Sequence, residues 1–229
     1  NRDYYLAHGV NKDRLFHMPY AVDNHFFSQS SQHYDHEMRD AFGLEEDRPV
    51  ILFLGKLSKR KNPGLLINAC QLMNRQRARN PYLLIVGSGE EEPKLHEIAA
   101  NLNWVKFLGF RNQSELPAIY SLADVFVMPS YAEPWGLAVN EAMASGTAVI
   151  STIDCGCSKD LIDDAVGRVV PANDRFALAR AIEEVLADEE KCSAMGRAAH
   201  KRIASWSFAE DLKGLKEAIR VVAAVPNST

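Results

Sequence analysis

The chain has 229 residues, 47% of them hydrophobic and 24% charged, with a formal net charge of −4. Those values suit one well-buried domain with a terminal appendage, and the acidic surplus argues against a general nucleic-acid binder, which carries a basic one. No apolar run approaches the roughly 18 residues needed to span a bilayer.

Residues 1–30 stand outside any rhythm of strands and helices. Within them, 14–19 read as an extended segment leading into a turn or connector at Tyr20-Ala21-Val22-Asp23. From Val50 onward, short apolar runs alternate with amphipathic stretches. Val50–Leu54 predicts a buried strand, ended by Gly55. Asn62-Pro63 opens a helix, with Asn as N-cap and Pro in the first position; Leu66, Ala69, Cys70 and Met73 fall on one face of it. Tyr82–Val86 is a second strand, followed by Gly87-Ser88-Gly89 and a helix near 91–101. A third strand is expected at 104–108, a short helix capped by Ser114 at 114–122, and a fourth strand at 124–128. A helix over about 136–144 follows, then strands at 148–151 and 167–170. Residues 175–225 read as three helices divided near Asp188 and at 205–207. This alternation implies an α/β fold, a parallel sheet with helices on both faces that binds ligands at the carboxyl ends of its strands.

The most informative stretch is Glu133 to Gly146, which holds Glu133 and Glu141 with seven residues between them. Glu133 falls on a strand-to-helix loop and Glu141 about a turn and a half into the helix, so both can face one ligand. Amides of the first helical turn lack partners within the helix and point to the same place. Carboxylates accept from vicinal hydroxyls and free amides donate to phosphate, a combination that fits a nucleotide sugar.

Residues 55–61 add four cations (Lys56, Lys59, Arg60 and Lys61) directly after a strand. Such a run is ordinarily a solvated face, but its place at a strand's carboxyl end favours phosphate, for which lysine is a suitable point charge. Gly87-Ser88-Gly89 lacks the third glycine of a dinucleotide fingerprint, and Glu90-Glu91-Glu92 follow at once. It reads as a tight turn. The seven histidines show no metal spacing, and His33 and His36 read as surface residues. No serine sits in a Gly-x-Ser-x-Gly elbow. Trp135 reads equally as a ligand anchor or as packing. The four cysteines form no disulfide framework, and Cys155-Gly-Cys157 is too closely spaced for the usual zinc or redox pattern. Free thiols point to a reducing cytoplasm. The chain opens at Asn1 with no signal-peptide pattern, as a fragment would.

With these motifs in place the chain, from about Lys12 to Lys216, resembles the C-terminal, donor-binding half of retaining group 1 glycosyltransferases of the two-domain GT-B architecture. The Glu-x7-Glu segment carries most of the resemblance. Phe53-Leu54-Gly55-Lys56-Leu57 through Lys61-Asn62 is similar to the family's Gly-Arg-Leu…Lys-Gly loop, with Lys56 in place of the usual arginine. The resemblance implies that Lys56 and Lys61 hold and stabilise the donor diphosphate, that Glu133 contacts the transferred sugar, and that amides around Gly136-Leu137 meet the phosphates. It places Glu141 on the ribose and Gly55, Phe110 and Arg111 along the donor, the last two bordering the base.

The same resemblance implies hexosyl transfer from a UDP- or GDP-type sugar to an acceptor hydroxyl, with no metal and no cofactor. It divides the chain into a connector (1–30), a donor-binding domain (31–205) and a C-terminal helix (206–229) packing back toward an N-terminal domain. That domain would recognise a carbohydrate or lipid-linked glycan acceptor, and the full-length protein would touch membranes peripherally. The fragment alone is expected to fold but not to transfer sugar. The alternatives are a sugar-nucleotide epimerase or phosphorylase on the same fold, or a non-catalytic nucleotide-binding module.

Overall fold

The computed structural model describes residues 2–29, 35–73 and 80–223. Six strands, β1 (Val50–Leu54), β2 (Tyr82–Val86), β3 (Val105–Gly109), β4 (Val125–Met128), β5 (Ala148–Thr152) and β6 (Gly167–Val170), form one parallel sheet ordered β3-β2-β1-β4-β5-β6. β1, β2, β4 and β5 are buried along nearly their whole length. That is why they appear in the sequence as unbroken apolar runs rather than alternating ones.

The helices in chain order are α1 (Arg2–Ala7), α2 (Asn24–Ser28), α3 (Asp35–Phe42), α4 (Pro63–Leu72), α5 (Glu92–Ala99), α6 (Leu116–Ser121), α7 (Leu137–Ala144), α8 (Ser158–Leu161), α9 (Arg175–Val185), α10 (Glu189–Ile203) and α11 (Phe208–Ala223). α4 touches α5 and α9; α7 touches α2 and α10, and α10 also packs on β5. The two groups cover opposite faces of the sheet, because the connections from β1 and from β4 run to opposite edges.

Two expected caps differ from the structure. Asn62 occupies the cap position of α4 but adopts a left-handed conformation, φ 54°, and its side chain makes no cap. Its amide donates instead to Asn173 Oδ1 at 3.0 Å. Ser114 does not open the helix after β3. A 3-10 turn at Gln113–Glu115 begins one step earlier, where Glu115 Oε2 accepts from the backbone amide of Asn112 at 2.8 Å. The helix at 136–144 begins at Leu137, with Gly136 as its cap residue. His33 and the side chain of His36 lie outside the described residues, as does the end of the expected C-terminal helix, 224–229. Among the described residues, no helix is long and apolar enough to cross a membrane.

Candidate functional site

β1 pairs with β2 along its whole length, to Leu54↔Val86. Its ladder with β4 stops earlier, at Leu52↔Phe126. The two central strands therefore part toward their carboxyl ends, at the point where the strand order reverses, and the loops that follow them face each other across the gap. One backbone bond ties these loops, from Tyr131 N–H to Arg60 O at 3.0 Å.

Across the gap, Glu133 Oε2 lies 2.7 Å from Arg60 Nη1 and 2.8 Å from Lys61 Nζ. The contact from Arg60 is a directed hydrogen bond, whereas Lys61 makes an ion pair without that geometry. The Glu133 side chain is 9% exposed, so two cations hold a nearly buried carboxylate. Arg60 was hidden in the sequence within a run of four cations. The 3-10 turn Lys59–Lys61 presents it and Lys61 to the same oxygen.

Lys56 does not join this cluster. Its side chain is 72% exposed, with the ammonium 4.0 Å from Glu90 Oε2. The next residue explains the placement: Leu57 is buried, its N–H donates to Ser88 O at 2.9 Å and its carbonyl accepts from Glu91 N–H at 3.0 Å. A Cβ on Gly87 would stand 2.0 Å from Gly55 O, and one on Gly89 2.3 Å from Leu57 O. The Gly-Ser-Gly turn thus exists for close approach of two loops, which seats the loop after β1.

The Glu133 loop is itself held from the far side. Glu133 N–H donates to Asp154 O at 3.1 Å, Gly156 N–H to Glu133 O at 2.9 Å, and Cys157 N–H to Trp135 O at 3.1 Å. Cys155 and Cys157 are buried free thiols, and the Cys155 thiol donates to Trp135 O at 2.9 Å. Gly136 turns the chain into α7 with φ +100°, and a Cβ there would come within 2.7 Å of Cys155 Sγ. The Cys-Gly-Cys segment is a brace for the acidic loop.

Trp135 belongs to packing. Its ring stacks on Tyr20 at 5.0 Å and on Trp206 at 5.3 Å between centroids. Its indole N–H donates to Asn140 Oδ1, and Asn140 Nδ2 donates to Tyr20 O, both at 2.9 Å.

Glu141, on α7, accepts a 2.7 Å hydrogen bond from the Tyr120 hydroxyl. Burial pushes its pKa above the ordinary glutamate value, against lowering by the Tyr120 bond and by the charge of Lys61. Lys61 therefore acts on both carboxylates. Tyr120 is fully buried, with its own pKa driven well upward by burial and by Glu141. Leu137, at the start of α7, is 44% exposed. Phe110 and Arg111 follow β3 at the edge of the sheet and make no hydrogen bond or ion pair with the Glu133 cluster. Phe110 is 72% exposed, while Arg111 is tied to Leu108 O and Glu115.

This crevice lies inside the stretch, residues 35–202, that matches the model of the family described as glycosyl transferases group 1. The chain belongs to that family. Among the relatives of this group 1 domain, D-inositol 3-phosphate glycosyltransferase of Corynebacterium urealyticum is 31% identical over 94% of the chain and 53% of its own length. The GDP-mannose-dependent alpha-(1-6)-phosphatidylinositol monomannoside mannosyltransferase of Mycolicibacterium smegmatis is 33% identical over 89% of the chain and 57% of its own length. The chain thus spans about half the length of the curated relatives it matches. Among solved structures, sucrose-phosphate synthase of Thermosynechococcus elongatus superposes with a TM-score of 0.78, at 28% identity, over 98% of the chain and 57% of its own. HepE of Anabaena, in complex with UDP, shares the fold at 21% identity, with a TM-score of 0.77 over 98% of the chain and 61% of its own. The group 1 glycosyltransferase domain thus has the expected architecture, half of a GT-B pair.

Proposed function

We propose that this domain binds the donor, a nucleoside diphosphate hexose, for transfer to an acceptor hydroxyl with retention at the anomeric carbon. The observation that carries the reading is the clustering of Arg60, Lys61 and Glu133 in the crevice between β1 and β4, with Glu141 within the field of Lys61. A diphosphate would find the Lys61 ammonium and the opening amides of α7 around Gly136-Leu137. Glu133 would accept from hydroxyls of the hexose, and Glu141 from those of the ribose. The exposed ring of Phe110 offers a face on which a base can stack. Lys56, on the outer side of its loop, would swing in from solvent to the phosphates.

Fixed cations and helix amides would stabilise the departing diphosphate, so the reaction needs no metal in this scheme. Acceptor recognition would fall to the N-terminal part carried by the longer relatives. α11 exposes Phe208, Leu212, Ile219 and Val222 on its surface, apolar area suited to packing against that part. We place the reaction in the cytoplasm, with peripheral membrane contact for a lipid-linked acceptor. Titration calorimetry of the chain with UDP, GDP and ADP, bare and hexose-bearing, with and without chelator, tests this reading. It predicts binding of at least one nucleotide series, unaffected by chelator; binding of none would refute it.

A further inference from the structure

Two cations serve one oxygen of Glu133, and they do so differently. Arg60 makes a directed hydrogen bond to Oε2 at 2.7 Å, while Lys61, at 2.8 Å, contributes charge without hydrogen-bond geometry. Arg60 is also fixed through its backbone, whose carbonyl accepts from Tyr131 N–H two residues before Glu133. Main chain and side chain of one residue therefore tie the β1 loop to the acidic loop. The charge of Lys61, in contrast, also acts on a second carboxylate, Glu141.

A diphosphate entering this crevice changes the charge balance. It brings negative charge next to Glu133, and a carboxylate 9% exposed has little water to screen the repulsion. Lys61 cannot serve as the full counter-ion of Glu133 and of the diphosphate at once. The planar guanidinium of Arg60 keeps its hydrogen bond to the carboxylate in a fixed direction, and among the described residues no group donates to Glu133 Oε1.

Resting on the donor reading above, we propose that Arg60 is a positioning residue for sugar recognition. It remains with Glu133 as Lys61 turns to the diphosphate, holding the carboxylate aimed so that Oε1 accepts from the hexose. Arg60 thereby sets the preference for hexose-bearing over bare nucleotide without itself gripping phosphate. A loop cation acting only through charge would strengthen both ligands alike.

The test uses the 229-residue chain and six probes: UDP, UDP-glucose, GDP, GDP-mannose, ADP and ADP-glucose. Calorimetry identifies the pair that binds the unaltered chain. Arg60→Gln should then weaken the hexose-bearing nucleotide about 10-fold or more and leave the bare one within about 2-fold. Arg60→Lys, which keeps the charge but loses the planar guanidinium, should recover only part of the loss. Adding Arg60→Gln to Glu133→Gln should cost nothing further, because the residue acts only through that carboxylate. Lys59→Ala, which alters the charge of the same loop, should leave the ratio of the two affinities unchanged.

Equal losses for bare and hexose-bearing nucleotide would make Arg60 a phosphate cation and overturn the proposal. So would unchanged affinities, or full additivity in the double variant. A chain that binds none of the six probes would remove the donor reading, and this inference with it. Nucleotide binding that falls in Lys61→Ala, alongside an unchanged affinity ratio in Arg60→Gln, would leave the donor reading standing and remove this inference alone.

Discussion

The hydroxyl of Tyr120 donates at 2.7 Å to the carboxylate of Glu141, joining α6 to α7 beneath the crevice. The bond gives a half-buried acid one fixed partner without supplying a counter-charge. Burial therefore still raises the pKa of Glu141.

That shift makes stability depend on pH. A carboxyl whose pKa is higher in the folded chain favours the folded state below the unfolded value of about 4.3. The contribution is lost as pH rises through the folded value. Glu141→Gln removes the ionisation while keeping an acceptor for Tyr120. Its urea midpoint, relative to the unaltered chain without nucleotide, should rise between pH 4 and pH 7. A difference that stays flat across this window would contradict the assignment.

Lys61 and Lys56 should contribute unequally to nucleoside diphosphate binding. Lys61→Ala should cost about 1.5–3 kcal/mol, as a charge-assisted contact does, and the loss should shrink with added salt. Lys56→Ala should cost less, since its side chain is 72% exposed and its ammonium lies 4.0 Å from Glu90. Calorimetry with the bare nucleotide at two salt concentrations checks the ranking, and the reverse order would mean that donor binding rearranges the β1 loop.

The two glutamates should separate by ligand. Glu141→Gln is expected to weaken bare and sugar-bearing nucleotide by similar factors. Glu133→Gln should spare the bare nucleotide and weaken only the sugar-bearing one. Parallel titrations decide this, and equal effects of Glu133→Gln on both ligands would show that its role lies with the diphosphate.

How much of this was legible in the sequence differs by element. The strands at Val50–Leu54, Tyr82–Val86 and Gly167–Val170 were legible to the residue and the other three to within one, because buried strands advertise themselves as apolar runs. The Glu-x7-Glu spacing located both acids. The partners of Glu133 were harder to see. Any of four neighbouring cations could face it, and only the 3-10 turn at Lys59–Lys61 selects two. Tyr120 gave no signal, since a tyrosine in an apolar helix reads as core, which it also is. The side chain of Asn62 serves Asn173 far along the chain, a contact that local cap rules cannot anticipate.

Gly156→Ala should damage the site from behind. A methyl group there would stand 2.0 Å from Pro134 O, against backbone that has no rotamer to give. The expected loss is about 1–3 kcal/mol, as for other overpacked positions, with weaker binding of sugar-bearing nucleotide because Glu133 shares the braced segment. Urea denaturation and calorimetry on one preparation test both parts, and unchanged stability would show that the brace yields freely.

The stack of Tyr20, Trp135 and Trp206 also bears on the order of events in folding. Asn24, just after the first ring, donates to Ile203 O across 179 positions of chain. Closing so long a loop is slow relative to forming neighbouring strand–helix units. The sheet can thus assemble while the indole of Trp135 still lacks both neighbours, and the acidic segment takes its working shape only when residues from both ends of the domain arrive. Competence to bind would trail burial of the core during refolding, with the tryptophan signal reporting the later step.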